Sequence, residues 1–376
     1  MQVPFIDLKR AYARYGQEIE EAVLRVLRST KYINGPETRE LEKELATFMG
    51  VNHGIAVSSG TEALYLILKA LDLPQKSIAF VPSFTFVSTA EVVLRAGLIP
   101  FFVDVEEDYP NLSVEALKEA YELCLKRGYQ PGCVIAVSLY GYPARLTELL
   151  AFCQERNLIL IEDACQAFGS ELEDKKVGSF GVAGAVSFYP TKNLSAAGDA
   201  GMVFTNDENL ALKIRALKEH GQTKPYFYEY HGLNGRMDEV QAAILRVKFK
   251  YFNEELTLRE RWAKFYEKNL SQLNPKVKLF KHLPNSKPAL SLFTIRATQR
   301  NELQQYLEKM HIATNVYYRI PLHHQPIFKD KLSLSLSLPN TERLSQEVLS
   351  LPFFPYLEEE EVLKVCKAIE EFYANC

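Results

Sequence analysis

The chain has 376 residues, of which 47% are hydrophobic and 24% charged, with a net charge of −3 at pH 7. That length predicts about two to three domains of ordinary globular composition. With no basic excess there is no electrostatic footprint for nucleic acid or an anionic membrane surface. Charges run throughout MQVPFIDLKRAYARYGQEIEEAV at the N-terminus, which is not the basic–apolar–cleavage pattern of a secretory signal. No apolar run is long enough to span a bilayer. The six cysteines (Cys124, Cys133, Cys153, Cys165, Cys366 and Cys376) show no CxxC pair and no His-rich spacing. They read as small hydrophobes in a reducing compartment, so the expected location is the cytoplasm and no metal ligands are expected.

In chain order, an extended VPFIDL precedes apolar positions at helical spacing over residues 12–30. Gly35-Pro36-Glu37-Thr38 breaks the chain before a second amphipathic helix at 39–49. Short β-rich runs then recur at 78–81, 100–105, 133–139, 158–161, 185–189 and 202–205. Helical patterns lie between most of them, at 62–71, 88–96, 114–127 and 146–157. Strands alternating with helices predict an α/β fold with a mostly parallel sheet covered on both faces, its ligands outside the carboxyl ends of the strands. A long helical stretch at 237–270 follows. After Pro275 the pattern becomes α+β: strand-like at 289–297, helical at 298–310, strand-like at 314–318 and helical at 358–373. We expect a domain boundary near residue 250, inside or beside that long helix, giving a large unit at 1–250 and a small unit at 251–376. The run LSLSLSL at 332–338 fits a short strand or a loop equally well.

The stretch Ser187-Phe188-Tyr189-Pro190-Thr191-Lys192-Asn193-Leu194 places one lysine just past an apolar run. A lysine whose amine is partly desolvated can form a Schiff base with an aldehyde cofactor; a solvated charge is the alternative. Asp163 ends the apolar strand Leu158-Ile-Leu-Ile-Glu162, where a carboxylate either caps the next turn or holds a proton on a cofactor ring nitrogen. Gln166, three residues on, is either a hydrogen-bond partner for a ring oxygen or an ordinary surface glutamine. Ser58-Ser59-Gly60-Thr61 leads into a helix whose free amides attract anions, and Ser187 adds a hydroxyl. Phe86 follows a predicted strand, where an aromatic ring either stacks on a cofactor or joins the core. Asn234 lies in Gly232-Leu-Asn-Gly-Arg236, which on its own is a turn.

These segments together make the chain recognisable. IEDACQAFGS with SFYPTKNLSAAGDAGMVFTND, supported by VSSGTEAL, VPSFTFVST, SLYGYPA and LNGRMDEVQAAILRVK, resembles the nucleotide-sugar aminotransferases of the DegT/StrS type. The resemblance spans nearly the whole chain. It implies a fold-type-I pyridoxal phosphate enzyme, with a large domain around a seven-stranded-type sheet, an N-terminal arm, and a smaller C-terminal α+β domain. By the same resemblance Lys192 holds pyridoxal 5'-phosphate and moves protons, Asp163 pairs with its ring nitrogen, and Gln166 contacts its ring oxygen. Phe86 stacks on the ring, and Ser59, Gly60, Thr61 and Ser187 bind the phosphate. Asn234 reaches the phosphate of a neighbouring subunit, which implies a homodimer with shared active sites. The implied substrates are L-glutamate and a keto sugar on a nucleoside diphosphate, with C-3 slightly favoured over C-4.

The chain departs from the family pattern at Val316-Tyr317-Tyr318-Arg319, where VHYP is common, at Arg145, and at Ser195. Tyr317 replaces a histidine that in the family often faces the sugar and is a candidate substrate contact; His323, in Pro321-Leu-His-His-Gln-Pro326, is either a second one or, more in keeping with its loop, a solvated histidine. Two rival readings stand beside the aminotransferase: a sugar dehydratase of the same fold, whose relatives carry histidine at the lysine position, and a non-catalytic regulator that binds the cofactor.

Overall fold

The computed structural model describes residues 1–329 and 334–375. Its centre is a sheet in the spatial order His53–Val57, Gly201–Thr205, Ala183–Ser187, Ile159–Asp163, Pro131–Val137, Ile78–Pro82, Ile99–Val103 and Leu334–Ser335. Only Gly201–Thr205 runs antiparallel to its neighbours among these strands. All five residues of Ile78–Pro82 and of Ile99–Val103 are buried, as strands covered by helices on both faces require. Alternate side chains feed two cores. Phe80, Phe101 and Val134 point to one layer, and Val81, Phe102 and Ile135 to the other.

Register aligns the strand ends that matter. Val137 pairs with Asp163, Asp163 with Ala185, and Ser187 with Gly201. The carboxyl ends of three adjacent strands therefore open on one edge of the sheet, where connecting loops meet.

The strand His53–Val57 was not anticipated from sequence; its five residues HGIAV are short and stand next to a cap glycine, Gly50, in the left-handed region. Leu334–Ser335 adds an eighth strand by pairing with Phe101–Phe102, so the expected seven-stranded sheet gains an edge from the C-terminal half of the chain. Residues 332 and 333 of the LSLSLSL run lie outside the described residues.

The helix Glu239–Leu270 spans position 250, where the sequence suggested a boundary. Its far half is anchored to the C-terminal segment: Trp262 Nε1 donates to the Pro355 carbonyl, Tyr266 donates to the Pro352 carbonyl, and the Tyr266 ring stacks on Phe293 at 4.8 Å. A small antiparallel sheet follows, in the order Val277–Leu279, Phe293–Ala297, Val348–Leu351. It is flanked by the helices Arg300–Lys309, Pro339–Glu347 and Glu359–Ala374. The expected strand at 314–318 is absent. Asn315 makes one isolated bridge to Ser350, and the chain then turns, because Tyr317 and Tyr318 are held by long-range contacts to Tyr140 and Gln166 rather than by a ladder.

The N-terminal arm ties the ends together. Val3 bridges Ile312, Asp7 caps the helix Leu8–Ser29, and Arg10 grips Glu361 through two 2.7 Å bonds. All five described cysteines are free. Four are buried, and burial pushes the Cys133 and Cys153 thiols up to about 12. No helix among the described residues is long and apolar enough to cross a membrane.

Candidate active site

Asp163 closes its strand with a side chain only 6% exposed. One carboxylate oxygen accepts a 2.7 Å bond from the Thr89 hydroxyl, and the other accepts from the Cys165 amide at 3.2 Å. A buried carboxylate held by two neutral donors still lacks a cationic partner, and the low dielectric makes that lack costly. Lys192 stands five residues past the end of the next strand, on a loop folded back by Ala196 N–H to Phe188 carbonyl (2.7 Å) and Lys192 N–H to Tyr189 carbonyl (2.8 Å). Asn193, buried beside it, pins the loop to the Ala289 carbonyl at 2.8 Å. Burial pushes the Lys192 ammonium below its ordinary range, while the Cys165 thiol and Asp163 pull it the other way. A desolvated lysine beside a buried acid is the condition for an amine that reacts at neutral pH.

The helix Gly60–Leu71 starts on the same edge. Ser59 caps it, accepting from the Glu62 amide at 3.1 Å. The amides of Gly60 and Thr61 have no acceptor among the described residues, as helix geometry leaves its first N–H groups unpaired. Gly60 is packed against the neighbouring strand. A Cβ there would lie 2.7 Å from Ser187 Cβ and 2.8 Å from Cys165 Sγ. The fold thus puts the Ser187 and Ser59 hydroxyls around two free amides at a helix N-terminus, a donor set that fits a phosphate.

Of the two phenylalanines after Ile78–Pro82, Phe84 is fully buried and Phe86 is 51% exposed. The core reading therefore belongs to Phe84, and Phe86 keeps a free face. Its ring lies 6.2 Å from Tyr318. Gln166 is engaged on both ends: its Oε1 accepts from the Tyr140 amide at 2.9 Å, and its Nε2 donates to the Tyr318 hydroxyl at 3.1 Å. The Tyr140 hydroxyl donates to the Tyr317 carbonyl, and the Tyr317 hydroxyl accepts from Asn315 at 2.9 Å.

Asn234 is exposed and bridges Glu219 through its backbone, while the adjacent Gly235 carbonyl accepts from Ser58. It sits beside the phosphate cradle without a side-chain bond to it. His323 is half-buried rather than solvated, with Nδ1 2.7 Å from the Ser83 hydroxyl. Arg145 forms a bidentate pair with Glu106, and Ser195 accepts from Lys248.

Sequence reasoning missed Thr89, Tyr140, Cys165 and Tyr318. Each reaches the site from an element whose local pattern reads as ordinary helix or core. Thr89, Cys165 and Tyr318 stand within three residues of Phe86, Asp163 and Tyr317, positions already singled out.

A mostly parallel sheet whose strand ends gather a desolvated lysine, a buried carboxylate and a helix-start anion cradle defines a fold-type-I transferase dependent on pyridoxal phosphate. The model of the DegT/DnrJ/EryC1/StrS aminotransferase family matches residues 13–370, and the chain belongs to that family. It is accordingly an aminotransferase. It is 37% identical to the "Pleiotropic regulatory protein" of Geobacillus stearothermophilus, over 100% of both chains. It is equally 37% identical to the UDP-N-acetyl-3-dehydro-alpha-D-glucosamine 3-aminotransferase of Acidithiobacillus ferrooxidans, over 98% of this chain and 97% of the other. Its fold superposes on S. venezuelae DesV, a structure in complex with a ketimine intermediate, with a TM-score of 0.94 and 35% identity, covering 99% and 98% of the two chains.

Proposed function

We propose that this enzyme moves the amino group of L-glutamate to the C-3 keto carbon of a hexose carried on a nucleoside diphosphate. The observation that carries the reading is the pairing of desolvated Lys192 with buried Asp163 at adjoining strand ends. The choice of C-3 rests on the 3-aminotransferase named above.

Pyridoxal 5'-phosphate, when bound, supplies the electron sink for the exchange. In this reading Lys192 Nζ holds the cofactor, then takes the proton from the donor's α-carbon and returns it during the exchange. Asp163, fixed by Thr89 and the Cys165 amide, holds a proton on the ring nitrogen. Gln166 orients the ring oxygen, Phe86 covers a ring face, and the Gly60 and Thr61 amides with the Ser59, Thr61 and Ser187 hydroxyls bind the phosphate. Asn234 is assigned to the phosphate of a partner subunit in a homodimer with shared sites. Tyr317 and the turn carrying His323 form the sugar-side wall. Residues 1–250 serve as the cofactor-binding body with its N-terminal arm, and 251–376 as the smaller C-terminal unit. Lys192 disfavours the dehydratase reading, since those relatives carry histidine there.

The regulator named among the relatives keeps a second reading open: a protein that binds the cofactor without turning it over. Incubating holoenzyme with L-glutamate separates the two. Aminotransfer converts the visible aldehyde-form absorbance and releases 2-oxoglutarate; an unchanged spectrum supports the regulator. A screen of UDP-, dTDP- and GDP-linked 3-keto and 4-keto sugars, read by mass spectrometry, then tests the acceptor. Amination of only 4-keto sugars would overturn the C-3 assignment.

A further inference from the structure

Beside Ser83, three side chains from two separate elements converge. His323 and His324 lie on the turn Leu322–His324, and Glu342 lies on the helix Pro339–Glu347. One ligand-capable atom from each falls within 4.8 Å of the others. The Glu342 Oε1 atom is 3.6 Å from His323 Nε2 and 3.9 Å from His324 Nε2. These separations are too long for hydrogen bonds. They are close to what a shared ion requires, because ligands held tetrahedrally at zinc distances stand about 3.3 Å apart.

The state of His323 points the same way. Its Nε2 is buried and has no hydrogen-bond partner among the described residues, an arrangement that costs free energy unless something occupies the lone pair. Its other nitrogen, Nδ1, lies 2.7 Å from the Ser83 hydroxyl. Ser83 is fully buried and also accepts the His323 amide at 3.2 Å. In the tautomer whose Nδ1–H donates to Ser83 Oγ, Nε2 keeps its lone pair for a ligand, the arrangement that outer partners give metal-ligating histidines. Nearby Asp104 is committed elsewhere, accepting from the amides of Val105, Asn340 and Thr341.

We infer that His323, His324 and Glu342 form a binding site for a divalent transition metal of the zinc class. Two imidazoles and one carboxylate select zinc, cobalt or nickel over magnesium or calcium, which take oxygen ligands. Three protein ligands leave one position for water or an oxygen ligand. The metal staples the 322–324 turn to the helix 339–347, and through Ser83 it braces the loop that carries Phe86. This departs from the sequence-based expectation of no metal: the two histidines are adjacent, and the third ligand comes from a different element, so no ligand-spacing motif announces the set.

The inference does not depend on the sugar or the donor, and its test reads the metal alone. Tag-free holoenzyme is stripped with a chelator and titrated with Co²⁺, followed by visible absorption and calorimetry. The wild type is expected to bind one equivalent with the strong absorption of four-coordinate cobalt. His324→Gln and Glu342→Gln, both at half-exposed positions where folding is not at risk, should each lower the affinity at least about tenfold. Ser83→Ala should weaken binding less, and His282→Gln, at a histidine paired with Glu267 elsewhere, should leave it unchanged. Binding that is unaffected by His324→Gln and Glu342→Gln, or no binding by the wild type, overturns the site. Metal binding is thus read independently of the amino-transfer assays above.

Discussion

Thr89 donates a 2.7 Å hydrogen bond to Asp163, joining the helix Ser88–Arg95 to a strand end 74 residues further along the chain. Both side chains are buried. With this bond and the Cys165 amide, the carboxylate keeps one orientation in the absence of any ligand. Replacing Thr89 by valine preserves the shape and removes the donor. We expect Thr89→Val to cost about 1–3 kcal/mol of stability by leaving a buried charged group underbonded, and to weaken cofactor affinity. Urea unfolding and cofactor titration of the variant check both effects; unchanged values would mean that Thr89 does not position Asp163.

Gly60 permits the contact between the helix start and the strand Ala183–Ser187. A methyl group there meets Ser187 and Cys165 at less than 3 Å, and part of that obstacle is the strand itself. Gly60→Ala should destabilise the protein by about 1–3 kcal/mol through overpacking. It should also displace the phosphate cradle, and equilibrium dialysis should show a clear loss of pyridoxal phosphate binding. Full retention of binding would place the phosphate elsewhere.

Lys192 gives a pH signature. Its folded-state value lies below the ordinary 10.5 because of desolvation, so the unfolded chain binds the proton more tightly. The penalty is therefore fully present at pH values below the lowered folded value, and it is relieved as pH rises from there through 10.5. Cofactor-free Lys192→Met should be more stable than cofactor-free wild type at pH 7, and the gap should close toward pH 10–11. Chemical denaturation at several pH values reads the difference. A gap independent of pH would mean that the amine is solvated.

Glu162 supports the approach to the site from behind. Fully buried, it accepts from the amides of Gly178 at 2.6 Å and Gly181 at 2.8 Å, and from Phe180. These bonds fix the turn that feeds the strand ending at Ser187. Glu162→Leu fills the space and removes the two carboxylate oxygens that accept from all three amides. The expected loss is about 3 kcal/mol or more, visible as a lower urea midpoint with an unchanged slope.

The sheet strands that lie between helices were legible because a run such as IAFVP or LILI is apolar throughout, which is what burial on both faces demands. Lys192 and Asp163 were legible for a related reason: each is a charged residue at or just beyond the end of such a run. The strand His53–Val57 was not, because five residues leading into a cap sequence give no period to count. Thr89, Tyr140 and Tyr318 were invisible because their roles come from partners 74, 26 and 152 residues away. The same holds for His323, which sequence reads as a loop residue and the fold ties to Ser83, 240 positions earlier.

The most direct test of the account is chemical. Holoenzyme carrying pyridoxal phosphate is reduced with borohydride, digested, and mapped by mass spectrometry. The account predicts a single phosphopyridoxyl adduct, on the peptide containing Lys192, and none in Lys192→Ala. An adduct on another lysine, or its persistence in Lys192→Ala, would contradict the assignment of the site.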